Sequence, residues 1–508
     1  MKKIYNFSKF NYIIIYVSGA VATFSNPPFS FFPFIFAIGF GVYLINFKST
    51  LLKTFFAAWF LGLGWFSFGL YWIGSAFIVA DTYHYLLMPL AIILLPSFLS
   101  VFWGLACVCA KLLSKNRTFC IIYIIIFLSL FEYLRAKIFT GFPWLMPSMV
   151  LSANENLIQI FSFIGSFSAN LVVLMISVLP FILFSNFKGK YFVFLLLLTP
   201  ILMLLFFGIL RYHNKTSFKT KDQFITLVQP NIKQSDKWNL KKRDQHLKKL
   251  VKLSSKHIDE FSDKNRIIIW PETSFEGSIP NEMKLLSSIS KQVIKNSKTT
   301  LIVGLLRTEK SKLYNSLVFL DSTGQILHQY DKIKLVPFGE YIPFRKFIKS
   351  FSDLLSRKDF SSGKKISNPN LNGFGNIITL ICYEILFVDE INNRISNDTN
   401  LLINITNDAW FGKTIGPYQH LALAKIKAVE FGLPLVRVAN TGISVSVSPF
   451  GEIISKIPLY SEGAKTFNLN SKLDYTLYKI YGEYIFIVSI LILIIINKIY
   501  NFNYKEDL

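Results

Sequence analysis

Apolar residues crowd the two ends of this chain and thin out in its middle. Apolar runs lie near Phe29–Phe47, Phe55–Ala80, Leu86–Leu112, Phe119–Leu134, Leu157–Phe184 and Tyr191–Leu210. A first run ends at Ala22, and a last one covers Tyr484–Ile496 with its flanks. A bilayer's hydrocarbon core takes about 20 helical residues to cross, so the pattern predicts a bundle of about eight transmembrane helices. Between Arg211 and Leu473 the pattern changes. Short β-rich runs recur at Phe224–Val228, Arg266–Trp270, Thr300–Leu305, Ser316–Leu320, Ile377–Cys382, Leu401–Ile405, Leu435–Val438 and Ile443–Val447. Amphipathic helical stretches at Asp244–Phe261, Glu282–Lys295 and Tyr418–Phe431 alternate with them. That alternation predicts layered sheets and helices. The expected organisation is a membrane domain over 1–210 with about seven spans, a soluble domain over 211–475, and a last span with a short tail over 476–508. Pro337–Pro343 and Gly363–Gly375 read as loops able to cover a site.

Composition agrees with a membrane protein. Of 508 residues 52% are hydrophobic, with 51 phenylalanines, too apolar for a soluble chain of this length. The net charge of +24 does not point to nucleic acid, because the lysines are scattered; anionic lipid headgroups are the better-matched partner. Loop charges orient the spans. Lys2, Lys3 and Lys9, then Lys48 and Lys53, then Lys111, Lys115 and Arg117, then Lys188 and Lys190, fall on one side. Ser25–Pro28 and Asp81–His84 carry no Lys or Arg, and Arg135 and Lys137 are the exception on that face. The positive-inside rule makes the N-terminus cytoplasmic, the soluble domain extracytoplasmic, and the C-terminus, with Lys498 and Lys505, cytoplasmic again. Chemistry on the outer face excludes substrates confined to the cytosol, ATP among them. The first run, with Ala20-Val-Ala22 near its end, reads either as a signal peptide or as an uncleaved first span.

Candidate chemistry sits at three strand ends. In Ile378-Thr-Leu-Ile-Cys-Tyr-Glu-Ile-Leu-Phe387 the apolar run stops at Cys382, with Glu384 two positions on. A strand running into a sharp turn presents its last side chain to a substrate, although a cysteine there also suits a buried small hydrophobe. Cys107, Cys109 and Cys120 lie in or beside spans, which leaves Cys382 as the only cysteine of the soluble domain. Arg266-Ile-Ile-Ile-Trp-Pro-Glu272 is a strand broken by Pro271, with Glu272 in the following turn; Lys332 and Lys334 precede a Pro/Gly loop. A thiol needs a base or a nearby cation, and the oxyanion it creates needs a positive charge or a donor. Glu, Lys and Cys supply those roles between them.

Trp-Pro-Glu272, Tyr-Asp-Lys332 and Ile-Cys382-Tyr-Glu resemble the Glu-Lys-Cys motifs of the carbon–nitrogen hydrolase (nitrilase) superfamily, over nearly all of Phe224–Phe467. The resemblance implies an αββα sandwich. Lys332-Ile-Lys-Leu-Val-Pro-Phe-Gly-Glu-Tyr-Ile-Pro-Phe344, Asn407-Asp-Ala-Trp-Phe-Gly412 and Arg437-Val-Ala-Asn-Thr-Gly442, with the spans at both ends, are similar to the apolipoprotein N-acyltransferase family. That resemblance implies Cys382 as nucleophile, Glu272 as general base and Lys332, rather than Lys334, as oxyanion stabiliser. It implies support from Glu340, Tyr383 and Glu384, and aromatic contacts along the substrate path from Trp238 and Trp410. It further implies a phospholipid acyl donor, phosphatidylethanolamine, a diacylglyceryl apolipoprotein as acceptor, a bacterial inner-membrane location with the catalytic domain periplasmic, and no metal or cofactor. The six histidines are scattered and form no ligand cluster. Two alternatives remain from the residues alone: a membrane-tethered amidase or nitrilase acting on a small amide, and a lipid-binding or transport protein without catalysis. Charge within the spans is sparse, Glu132 being the main exception, which speaks against transport.

Overall fold

The structure is a computed structural model that describes residues 10–79, 85–86, 88–114, 117–185, 189–215, 222–256, 264–343, 345, 359–364 and 367–503. Lys2, Lys3, Lys9, Lys115, Lys188, Lys505 and the connection Asp81–His84 lie outside the described residues, as do 257–261 of one expected helix and 365–366 of one expected loop. The chain divides into two compact units. One gathers Met1–Lys215, Lys413–Phe431 and Tyr475–Leu508; the other is Thr216–Gly412 with Gly432–Asp474.

In the helical unit, Phe10–Ala22, Phe36–Asn46, Leu51–Leu70, Met88–Leu113, Arg117–Lys137, Ile160–Leu183, Lys190–His213 and Tyr484–Asn503 fall on the expected apolar runs. Among the described residues, Leu51–Val79, Met88–Leu113, Leu157–Leu183 and Lys190–His213 are long and apolar enough to cross a membrane. Asn11–Ser25, Phe32–Asn46 and Tyr484–Lys498 are apolar but shorter.

Several buried polar groups of this unit are paired, as an apolar surround favours. Glu132 forms a buried ion pair with Arg135 and accepts from Trp103 Nε1 at 2.8 Å. Arg135 in turn donates to the carbonyls of Phe142 and Trp144, stapling the Gly141–Trp144 turn. Ile160–Leu183 is broken at Gly165, whose φ is +70° and where an added Cβ would strike the Tyr478 ring. The break leaves the next N–H without a helical acceptor, and Glu430 takes it: Ser166 N and Oγ both donate to Glu430 Oε1 at 2.5 Å, while Lys427 Nζ holds Oε2 at 2.6 Å. Gln419, on the mostly buried helix Gly416–Phe431, accepts from Trp72 Nε1 at 3.1 Å and Trp144 Nε1 at 2.9 Å and donates to Gly69 O. Trp144 is therefore a buried, hydrogen-bonded residue.

Among the described residues, the second unit has thirteen strands: β1 Gln223–Gln229, β2 Asn265–Ile269, β3 Ser278–Ile279, β4 Thr299–Glu309, β5 Lys312–Leu320, β6 Ile326–Asp331, β7 Asn370–Leu371, β8 Gly375–Ile381, β9 Thr399–Thr406, β10 Leu435–Ala439, β11 Ser444–Val447, β12 Ile453–Ile457 and β13 Gly463–Asn468. One sheet runs β13-β1-β2-β4-β5-β6 with β3 beside β4; the other runs β12-β11-β10-β9-β8-β7. The centres, β1-β2-β4 and β8-β9-β10, are parallel, and the flanks antiparallel. Central parallel strands are covered on both faces, which is why they read as continuous apolar runs such as Ile267–Ile269. Alternate residues then serve different cores. Ile225, Leu227, Ile267, Ile269 and Ile302 meet Ile377, Ile381, Leu401, Ile403 and Val436 between the sheets. Ile268, Leu301 and Val303 turn the other way, onto Leu250 and Leu286 of helices Leu240–Ser254 and Met283–Val293. Strands β3, β6, β7, β12 and β13 were not foreseen in the sequence. β6 and β12 are half exposed and lack an apolar run, because edge strands bury too little to need one.

Gln419→Leu should leave two buried indole N–H groups without their acceptor. Thermal unfolding of the purified protein is expected to show a loss of roughly 2–4 kcal/mol, against a near-zero change for an exposed Gln→Leu control.

Candidate active site

Glu272, Lys332 and Cys382 leave the carboxyl ends of β2, β6 and β8, the ends at which sheets of this kind hold ligands. Pro271 stops β2, and the following turn puts Thr273 at φ +47°, a costly conformation for a β-branched residue. Gly304 on β4 makes the turn possible: a Cβ there would lie 2.4 Å from Pro271 O and 2.7 Å from Glu272 Cα. Glu272 is buried, accepting from Asn315 Nδ2 at 2.7 Å and from the Asn407 backbone N–H at 2.8 Å.

Lys332 is 1% exposed, with Nζ 2.9 Å from Glu340 and 3.7 Å from Glu272. Asn315 Nδ2 also reaches Glu340 at 3.0 Å, so one amide bridges both carboxylates that face the ammonium. Burial works against the charge on Lys332, but Glu340, Glu272 and Cys382 outweigh it and hold its pKa above the ordinary lysine value.

Cys382 is partly buried and sits at φ +52°, the strained elbow expected where a strand turns sharply into the 3-10 turn Cys382–Leu386. Its thiol is hydrogen-bonded to the Thr406 side chain. Burial and then Glu272 raise the thiol pKa, and Lys332 opposes them without cancelling the shift. The backbone is braced as well: Asn404 Nδ2 donates to Cys382 O at 3.3 Å, and Arg437 Nη1 fixes Asn404 Oδ1 at 2.5 Å while Nη2 pairs with buried Asp408 at 2.7 Å.

Glu384 has no exposure, and its two oxygens accept from Tyr330 OH at 3.0 Å and from the N–H groups of Ile333 at 2.6 Å, Lys334 at 3.1 Å and Ile381 at 2.7 Å. It ties the Cys382 elbow to the segment that carries Lys332. Burial pushes its pKa up to about 7, against the pull of the Ile381 N–H, of Lys332 and of the other two amides.

The structure thus gathers Glu272, Lys332, Glu340 and Cys382, with Glu384 as a brace. Lys334 stays outside: its side chain is 37% exposed and its Nζ is 3.9 Å from Glu390. Tyr383 is buried edge-on to Phe387. Trp410 is half-buried on the short turn Asp408–Phe411 that follows Asn407. Trp238 is 45% exposed on the loop before helix Leu240–Ser254, its backbone N–H donating to Glu276 at 3.2 Å. Asn315 and Lys237 escaped the sequence reading. Asn315 sits beside Ser316 in a strand that opens on Lys312, so its polarity carries no distinct signal, and Lys237 is one lysine among many.

Residues 224–473 match the carbon-nitrogen hydrolase family, and 18–179 match the apolipoprotein N-acyltransferase N-terminal domain. Fold and site therefore define a carbon–nitrogen hydrolase domain carried with a helical unit. A protein of Rhodopseudomonas palustris named apolipoprotein N-acyltransferase is 32% identical over 96% of this chain and 95% of its own. Another of that name, from Allorhizobium ampelinum, is 33% identical over 90% of each. The chain belongs to the apolipoprotein N-acyltransferase family.

Glu384→Gln turns an amide donor toward N–H groups that already donate. A loss of about 1–3 kcal/mol in unfolding free energy is expected. A melting temperature equal to that of the parent protein would show that the brace carries no load.

Proposed function

We propose that this chain is a phospholipid:apolipoprotein N-acyltransferase that moves an sn-1 acyl chain through a Cys382 thioester, the last step of lipoprotein maturation. One observation carries the reading: the buried cluster in which Lys332 meets Glu340 and Glu272 within the field of the Cys382 thiol. Because the thiol pKa is raised, the resting sulfur is protonated, and attack needs a base.

In the first half-reaction Glu272 takes the thiol proton as sulfur bonds to the ester carbonyl carbon. The carbonyl electron pair moves to oxygen, where the Lys332 ammonium, kept charged by its carboxylates, stabilises it. Collapse breaks the carbon–oxygen bond, the glycerol oxygen takes the proton from Glu272, and a lysophospholipid leaves. In the second half-reaction the α-amino group of a diacylglyceryl N-terminal cysteine attacks the thioester, giving its proton to Glu272. The carbon–sulfur bond then breaks, sulfur regains the proton, and a triacylated product departs. Glu340 anchors Lys332, Glu384 holds the elbow, Tyr383 packs beside it, and Trp238 and Trp410 border the route of the substrates.

Phosphatidylethanolamine is the donor in this reading. The chain is a multi-pass protein of the bacterial inner membrane, with about eight spans in the domains 1–210 and 476–508, both termini cytoplasmic, and a periplasmic αββα catalytic domain over 211–475. Helices on all the expected apolar runs and the loop charges support it. Both substrates keep their tails in the bilayer, which avoids about 0.8 kcal/mol for each CH₂ exposed to water. Relatives named for N-acyl transfer along nearly the whole chain favour this reading over the amidase and the non-catalytic alternatives.

Incubation with labelled phosphatidylethanolamine should give a hydroxylamine-sensitive acyl label on the wild type, and none on Cys382→Ser. A wild type that never labels, or a Ser variant that does, ends the proposal. Gly304→Ala forces the Glu272 turn aside and should slow labelling by about tenfold or more, since an error near 1 Å in a reacting group costs about 10²-fold; an unchanged rate would mean the turn is free to adjust.

A further inference from the structure

A second buried ammonium touches the Glu272 turn. Lys237 is 6% exposed, and its Nζ donates to Thr273 Oγ1 at 2.9 Å and to the Glu272 backbone carbonyl at 3.3 Å. Lys332 reaches the Glu272 carboxylate; Lys237 holds the backbone beneath it. That backbone needs holding, since Thr273 sits at φ +47°. The next residue is fixed as well. Trp238, at φ +67°, donates its N–H to Glu276 Oε2, and Glu276 Oε1 is 2.7 Å from His246 Nδ1. Successive residues of one loop are thus fastened to 272–276, and that loop presents the exposed Trp238 indole.

We infer that Lys237 is a positioning residue for acyl transfer, its ammonium fixing the Glu272–Thr273 turn and, with it, the loop that carries Trp238. The inference rests on Glu272 being the general base. Aligning that base then depends on a cation that never meets the reacting atoms.

The groups facing Lys237 make the dependence testable by pH. They are Glu272 and Thr273 on the turn, Glu276 beyond it, and His246 through Glu276. Burial lowers the lysine's pKa to about 8, with Glu272 and then Glu276 pulling it partly back. Lys332 and the Cys382 thiol are both shifted upward instead. Of these three groups Lys237 is the first to lose its proton as pH rises: a cation below about 8, neutral above it.

The test follows initial rates of thioester labelling from phosphatidylethanolamine vesicles, with the full chain, across neutral and alkaline pH. The wild type should lose rate above about pH 8. Lys237→Arg keeps a cation at every pH used, so it should stay within about tenfold of wild type at neutral pH and lose the alkaline fall. Lys237→Gln keeps donors without charge; it should be slower by about tenfold or more at neutral pH, with a flat profile and little change in melting temperature. An alkaline limb in the same place in all three proteins overturns the inference. So does a Gln variant as fast as wild type, or a folded but inactive Arg variant. If the Gln variant does not fold, the limb of the Arg variant decides alone. A wild type without any label would instead remove the acyl-transfer reading on which the inference stands.

Discussion

A lysine ammonium out of contact with water is the constraint around which the catalytic unit is arranged. Left uncompensated, such a charge costs several kcal/mol and loses its proton. Lys332 keeps it because Glu340 and Glu272 face it together. Two carboxylates beside one cation would repel, and each is quieted by donors of its own: Asn315 on both, the Asn407 N–H on Glu272, the Val336 N–H on Glu340. Those donors come from β5, from the loop after β9 and from the loop after Lys332. The cluster can therefore exist only when both sheets are assembled with their strand ends together. The dry core between the sheets, lined by residues such as Ile267, Ile377 and Ile403, keeps the local dielectric low and the pairing strong.

Similar side chains are set to different work here by environment alone. Glu272 is accessible to the lysine and the thiol; Glu340 is spent on Lys332 and a backbone amide; Glu384 meets only backbone amides and a tyrosine hydroxyl, and its role is mechanical. The lysines divide in the same way. Lys332 is enclosed by carboxylates, whereas Lys334 is part exposed beside Glu390. A thiol raised by burial and by Glu272 is a poor nucleophile at rest, and in the proposed mechanism the same carboxylate takes its proton. In that reading, resting protection and activation by a base are one arrangement.

Much of the fold could be read in the chain. The expected apolar runs are helices, and the eight expected β runs lie on β1, β2, β4, β5, β8, β9, β10 and β11. Buried elements declare themselves because burial demands long apolar stretches. Edge strands do not: β6, with His328 and Gln329 inside it, carries no such mark, although it delivers Lys332. The abrupt ends at Pro271 and Cys382 were visible as chemistry because a strand broken beside a reactive side chain is unusual. Asn315 was not, since an asparagine in a strand says nothing about what stands opposite.

By itself the sequence determined the partition into apolar and mixed segments, the period of each element, and the identity of the residues able to act as base, cation and nucleophile. These are local properties, set by side-chain chemistry and spacing. Only the tertiary structure decided which of two nearby lysines meets the carboxylates, that one asparagine serves both of them, that Glu384 accepts from backbone amides on both the elbow and the Lys332 segment, and that helix Gly416–Phe431 groups with the apolar helices. Each of these depends on distances between residues tens to hundreds of positions apart, which the packing of whole sheets and helices fixes and no local pattern encodes.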